Sequence, residues 1–246
     1  MQWSLYGKYL FLAMLGTLLR ITIKFIFPAT YWLQLLANLL IQMLGSFIYG
    51  LVAKREDEKE IGLCLCGSIT SFSGWILIIS QSTPFQFSFI LLPTFSLFVW
   101  SYAIGLRYST YFTFKIQIDS ILACLSLSSY IICIILACLN FVVIPLALVF
   151  SPFGVACRYL LQKLNGDAVY TKYLGTTLVN ITGSIAILLI SKYCSNLYWQ
   201  AFMDGFLGCY TTISTISKDT YTTSDSKIWV VVSIVLSWLV GLLLNI

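Results

Sequence analysis

Runs of about twenty residues almost free of charge recur along this chain, separated by short polar breaks, and nothing else in the sequence limits its fold as tightly. Such runs match helices that cross a hydrocarbon layer of about 30 Å, and they are too long for barrel strands of roughly ten residues. Of the 246 residues, 59% are hydrophobic and 9% charged, whereas a soluble domain carries about 25% charged residues. Mean hydropathy is +0.93. So little polar surface cannot coat a water-soluble globule. The sequence predicts an all-α polytopic membrane protein and excludes a soluble enzyme, a nucleic-acid binder and a disulfide-stapled secreted domain. The chain has no histidine, which removes the commonest metal ligand and proton shuttle.

Nine spans are predicted, over residues 5–27, 31–53, 61–80, 86–107, 119–139, 142–164, 170–192, 200–218 and 227–245. Breaks fall at Pro28, Pro84, the Asn165-Gly166-Asp167 turn and the polar stretch from Lys218 to Lys227. The first run lacks a basic leader and a small-residue cleavage site, so it reads as a retained span. An odd count puts the termini on opposite sides. The N-terminal side then collects Lys8, Lys54, Arg55, Lys59, Arg107, Lys115, Lys163, Lys172, Lys218 and Lys227, and the other side only Lys24 and Lys192. Basic residues favour the cytoplasmic face, which predicts a cytoplasmic N-terminus and an external C-terminus. The net charge of +5 thus reports orientation more than ligand choice. Most of the eight cysteines lie in apolar runs, where a thiol acts as a small hydrophobe. Cys64 and Cys66 form a CxC, but two residues apart on a helix they point in different directions.

The two halves resemble each other. Gly16-Thr-Leu-Leu-Arg20 matches Gly154-Val-Ala-Cys-Arg158, and Leu40-Ile-Gln-Met-Leu-Gly45-Ser46 matches Leu178-Val-Asn-Ile-Thr-Gly183-Ser184, both at an offset of 138. Thr70-Ser-Phe-Ser73 matches Thr211-Thr-Ile-Ser214 at 141, and Gly105 matches Gly241 at 136. Each repeat has four spans, with the fifth span left over between them. The organisation predicted is a first repeat over 1–110, a linker helix over 111–141 and a second repeat over 142–246. One intervening helix turns the second repeat over. That arrangement places the functional site near the bilayer midplane, between the repeats.

Several matched residues carry chemistry. Arg20 and Arg158 follow a glycine by four residues on the first span of each repeat. Each either snorkels to the interface or offers a guanidinium that draws anions and ties helix ends together. Gln42 and Asn180 hold equivalent places on the second spans. A buried carboxamide must hydrogen-bond, either as interhelical glue or as a donor facing a pore. Gly45 and Gly183, three residues on, permit close approach of another helix or an ion. The third spans, Cys66-Gly-Ser-Ile-Thr-Ser-Phe-Ser-Gly-Trp75 and Gly208-Cys-Tyr-Thr-Thr-Ile-Ser-Thr-Ile-Ser217, are poor continuous helices. They read as broken helices with exposed carbonyls, tolerated at membrane depth only inside protein or along a cavity, or else as close packing by small residues. Ser233, Ser237 and Gly241 make a narrow polar stripe on the last span. Its hydroxyls either bond the backbone four residues back or donate to a passing anion.

Together these residues resemble the fluoride channels, called CrcB or Fluc in bacteria and FEX in eukaryotes. That family carries G-x-x-x-R on its first span, L-V-N-x-x-G-S on its second and G-G-x-T-T-F-S-T-F at the break of its third. The resemblance covers about eight of the nine spans and is closest to the fused eukaryotic form. It implies a passive fluoride-selective channel rather than an enzyme, with one fused chain acting as a pseudo-dimer in the plasma membrane. Asn180 would be the pore amide, with Gln42 in that role in the first repeat. The pore phenylalanines of the family fall on Phe72 and Trp75, and on Ile213 and Ile216. Hydroxyls of Ser71, Thr212, Ser214, Ser233 and Ser237 would line the path. A structural sodium ion between the repeats would use carbonyls of Gly67, Thr70, Gly208 and Thr211. The repeats are not equivalent, because only one keeps the asparagine and only the other keeps aromatics. One pore is therefore expected to conduct and the other to be degraded or structural. The competing expectation is a proton-coupled transporter of another small anion, whose best titratable candidate is Asp204.

Overall fold

The computed structural model describes residues 2–28, 30–55, 57–82, 84–111, 120–139, 143–166, 168 and 171–244. Lys115 and Asp167 lie outside these residues, as does the side chain of Cys124.

Every expected span is helical. The helices α1 (Gln2–Ile26) and α2 (Tyr31–Val52) are followed by a broken pair. Its first arm, α3, runs through Glu58–Glu60, a π-helical stretch Ile61–Cys66 and Gly67–Ile69, and its second arm is α4 (Phe72–Ser80). Next come α5 (Pro84–Tyr108), α6 (Ser120–Cys138), α7 (Val143–Gln162) and α8 (Leu174–Tyr193). A second broken pair follows. Its first arm, α9, consists of Leu197–Phe202, a π-helical stretch Met203–Leu207 and Gly208–Tyr210, and its second arm is α10 (Ser214–Thr222). The described chain ends in α11 (Ser226–Leu244). Among the described residues seven helical stretches are long and apolar enough to cross a membrane, with the first broken pair counted as one. The other two expected spans are not among these stretches. In α6 the apolar described stretch is Leu127–Leu136, and α10 carries Ser217, Lys218 and Asp219.

The same local chemistry makes both breaks. Thr70 and Thr211 leave the helical region for extended backbone, at φ −84°, ψ 147° and φ −91°, ψ 155°. Each hydroxyl turns back onto the carbonyl four residues earlier, Thr70 onto Cys66 at 3.0 Å and Thr211 onto Leu207 at 3.1 Å. A threonine that bonds its own helix in this way offers the backbone an alternative to continuing it. In the first pair Ser71 then caps α4 by accepting from the Gly74 amide at 3.1 Å.

Packing follows a matched pattern. α2 lies on α5 as α8 lies on α11, and α1 packs on α3 as α7 packs on α9. α6 runs beside both α1 and α7. Beyond the breaks the arms cross over, so that α4 packs on α8 and α11 while α10 packs on α2 and α5. The main apolar cluster is accordingly built from both halves of the chain, with Phe72, Trp75, Ile76 and Phe98 from one and Ile187, Leu188, Ile213 and Ile216 from the other. In lipid the driving force for such contact is close packing and hydrogen bonding rather than water exclusion. The two breaks therefore lie where the halves interlock.

Candidate functional site

Two arginines fasten the interlocked halves. Arg20 and Arg158 are each only 1% exposed, so neither side chain reaches the interface. Arg20 reaches across to α9, where Nη1 donates to the Gly208 carbonyl at 2.7 Å and Nη2 to that of Asp204; Nη1 also donates to the Ser68 carbonyl at 2.7 Å. Arg158 reaches across to α3, donating from Nη1 to the Gly67 carbonyl at 2.8 Å and from Nη2 to that of Leu63. The acceptors sit 141 residues apart in each pair, as in the Thr70 and Thr211 match. A planar fork with several fixed donors suits this bridging, which a lysine could not reproduce. A Cβ at Gly67 would collide with the Arg158 guanidinium, and one at Gly208 with that of Arg20.

Both carboxamides are fully buried and grip a break. The Ser71 amide donates to Gln42 Oε1 at 3.0 Å, and Gln42 Nε2 donates to the Ser71 carbonyl at 3.1 Å. The Thr212 amide donates to Asn180 Oδ1 at 3.0 Å, and Asn180 Nδ2 donates to the Thr212 carbonyl at 3.3 Å. Each backbone donor fixes which end of the carboxamide is oxygen. The two differ in what remains. Gln42 gives its second N–H to Asn38 Oδ1 at 3.0 Å, so its amide is exhausted. Asn180 has a second N–H with no acceptor among the described residues.

The breaks also meet each other. Thr70 Oγ1 lies 3.3 Å from Thr212 Oγ1 and 3.2 Å from Ser214 Oγ, and it accepts from the Ser214 amide at 3.2 Å. Thr211 Oγ1 lies 3.3 Å from Ser71 Oγ and 2.9 Å from Ser73 Oγ, and it accepts from the Ser73 amide at 3.1 Å. Gly45 and Gly183 make room for this crossing. A Cβ at Gly45 would strike the Thr70 methyl, and one at Gly183 the Thr211 methyl.

Open space adjoins this knot on the Asn180 side. A slit of about 10 Å³ is lined by Tyr173, Thr176, Thr177 and Asn180 of α8 and its N-cap, Ile216 and Asp219 of α10, and Ser226, Trp229, Val230 and Ser233 of α11. That is close to the room one water molecule needs. Tyr173 and Asp219 also line a vestibule of about 320 Å³, to which Lys172, Lys218, Asn165 and Tyr49 contribute. Burial pushes the Asp219 carboxyl up to about 7, against the opposing pull of Lys218 and Lys172. The Tyr173 hydroxyl meets Thr223 Oγ1 across the vestibule wall. Of the expected pore residues, Asn180, Ile216 and Ser233 line the slit. Gln42, Phe72, Trp75, Ile213, Ser71, Thr212 and Ser214 are packed into the interior. Ser233 Oγ bonds back to the Trp229 carbonyl at 2.9 Å. Ser237, one turn further, is fully buried and its hydroxyl has no partner among the described residues, as is true of Trp75 Nε1. Sequence reading missed Thr176, Thr177, Tyr173 and Asp219. Helical spacing could have found them, since Thr176 and Thr177 precede Asn180 by four and three residues and Asp219 follows Ile216 by three.

Asp204 does not stand free in the span, because Lys24 Nζ lies 2.7 Å from its Oδ1. Among the carbonyls expected to hold a cation, those of Gly67 and Gly208 already accept from Arg158 and Arg20. Each keeps a second lone pair. Thr70 and Thr211 turn extended at the breaks, where no donor among the described residues reaches their carbonyls.

Interlocked broken helices around buried polar groups define a polytopic membrane protein with its polar site inside the bundle. The model of the family CrcB-like protein, Camphor Resistance (CrcB), matches residues 145–246. Two curated relatives each bear the name Fluoride-specific ion channel FluC. One, from Solibacter usitatus, is 37% identical over 75 residues, which are 28% of this chain and 62% of that protein, so the match spans less than two thirds of its length. The other, from a Nitratiruptor species, is 30% identical over 97 residues, 37% of this chain and 76% of that protein. No solved structure matches. The chain belongs to the CrcB/FluC family.

Proposed function

We propose that this protein is a passive, fluoride-selective channel of the plasma membrane, exporting the ion down its electrochemical gradient, and that the path beside Asn180 is the one that conducts. The uncommitted Asn180 N–H, beside a slit with room for about one water-sized particle, carries the proposal. Fluoride is small and strongly hydrated, so a pore must offer donors in place of water. Asn180 and the hydroxyls of Thr176 and Thr177 supply them at the slit, and the unpartnered Ser237 hydroxyl lies one turn beyond the slit-lining Ser233 on α11. Lys172 at the vestibule draws anions toward the slit, beside Lys218, whose charge is shared with Glu58. On the other side, Asn38 consumes the spare Gln42 N–H, and Phe72, Trp75 and Phe98 fill the space. That side is structural in this reading.

The matched contacts support two repeats, 1–110 and 142–246, related by an approximate two-fold axis in the membrane plane and turned over by the linker helix, so that one chain acts as a pseudo-dimer. The lysine and arginine distribution supports a cytoplasmic N-terminus and an external C-terminus. A structural sodium ion would rest on the Thr70 and Thr211 carbonyls, with Gly67 and Gly208 sharing oxygens already bonded to arginine. It would supply positive charge that holds the halves together. Proton-coupled transport is the weaker alternative, since Asp204 is held in an ion pair with Lys24.

The test is efflux from proteoliposomes holding fluoride or chloride, with and without an imposed proton gradient. Fluoride efflux that exceeds chloride and is not driven uphill by the proton gradient is expected. Equal chloride efflux, or a proton gradient that drives fluoride against its own gradient, overturns the proposal.

A further inference from the structure

Away from the slit, α5 and α11 splay apart on the outer surface of the bundle. Both pack against α10, whose Thr220 and Tyr221 line the cleft between them, and against α4. The cleft left open is a cavity of about 450 Å³, walled by Leu92, Phe95 and Trp100 of α5 and by Val231 and Val235 of α11, with Lys227 at one end. Its walls are exposed, Leu92 at 70% and Trp100 at 64%. At the Lys227 end it adjoins a second cavity of about 440 Å³ lined by Lys54 and Arg107, and Trp100, Ala103 and Tyr221 belong to both. Among the described residues no carboxylate lines either cavity, and none of the three cations is ion-paired.

An apolar trench that runs into a cluster of unpaired cations matches one occupant in both shape and charge. We propose that this surface binds an anionic glycerophospholipid, with one acyl chain along the α5–α11 cleft and the phosphate among Lys54, Arg107 and Lys227. Water has little to bond to in the trench, so hydrocarbon fills it at membrane depth. Basic pockets between membrane helices recognise anionic headgroups, with attraction from each lysine or arginine near the surface. Trp100 and Tyr221 stand at the junction, the level where amphipathic rings settle in a bilayer. The basic cluster and the trench are thus one amphipathic site, and it is independent of which ion the channel carries.

Native mass spectrometry of the full chain tests this directly, using palmitoyl-oleoyl phosphatidylglycerol and the matching phosphatidylcholine as probes. The wild type is expected to retain the phosphatidylglycerol in preference. Binding should fall about fivefold for each cation removed in the series K54Q, R107Q and K227Q, leaving retention of phosphatidylcholine intact. These side chains are exposed, so the series should not disturb folding, which a thermal melt checks. A103W, which fills the junction, should abolish retention of both lipids. Equal retention of the two lipids by wild type, indifference to the charge series, or a homodimer that A103W dissolves would each overturn the site.

Discussion

At the residue scale the decisive difference is one amide proton. Gln42 and Asn180 hold equivalent breaks with equivalent bonds, yet only Asn180 keeps a donor to offer. Asn180→Asp keeps the size and removes both N–H donors, so fluoride flux should fall at least about tenfold if a lost donor costs roughly 1.5–3 kcal/mol. Gln42→Leu should leave flux per folded molecule near wild type while lowering stability by about 1–3 kcal/mol, because the buried Ser71 amide loses its acceptor. Equal flux losses in the two variants would contradict the asymmetry. Asp219 makes a second residue-scale test. Burial pushes its carboxyl from the ordinary 3.8 up to about 7, so below that pH it is neutral and above it a negative charge faces the slit. Flux should therefore decline as pH rises through about 7, and Asp219→Asn should flatten the profile. The same shift makes the folded state hold a proton that the unfolded state releases. Its stabilising contribution is full below the ordinary carboxylate range and is lost as pH rises toward about 7.

At the element scale the breaks depend on glycines that let a threonine methyl through. Gly45→Ala and Gly183→Ala should each cost about 1–3 kcal/mol through overpacking, read as a lowered melting temperature. Pairing them with Thr70→Ser and Thr211→Ser removes the opposing methyl but keeps the hydroxyl bonds. Each double variant should recover stability relative to its glycine single variant, which a double-mutant cycle measures. No recovery would mean that the crossing is not set by these contacts. Much of this was legible beforehand. The hydroxyl-rich runs at 66–75 and 208–217 placed both breaks correctly, because threonine and serine compete for backbone bonds wherever they fall. The π-helical approach to each break was not legible, since an extra residue per turn leaves no compositional mark.

At the scale of the whole molecule the arms α4 and α10 exchange places, so neither half completes its packing alone. Residues 1–110 and 111–246 expressed as two chains should co-purify on a tag carried by one of them. Lys218 with Glu58 and Lys24 with Asp204 join the halves at their edges as well. Recovery of a monodisperse second half by itself would argue against this interlock.

Taken alone, the sequence determined the membrane environment, the helical spans and the polar residues that had to be satisfied inside. All of these follow from local hydropathy and residue chemistry, which act over a turn or a span. Only the tertiary structure decided which carbonyl each arginine reaches, that Phe72 and Trp75 pack as core, and that the open slit runs beside Asn180. Those outcomes depend on contacts between residues far apart in the chain, such as Arg20 with Gly208 and Arg158 with Gly67, which no window of local sequence reports.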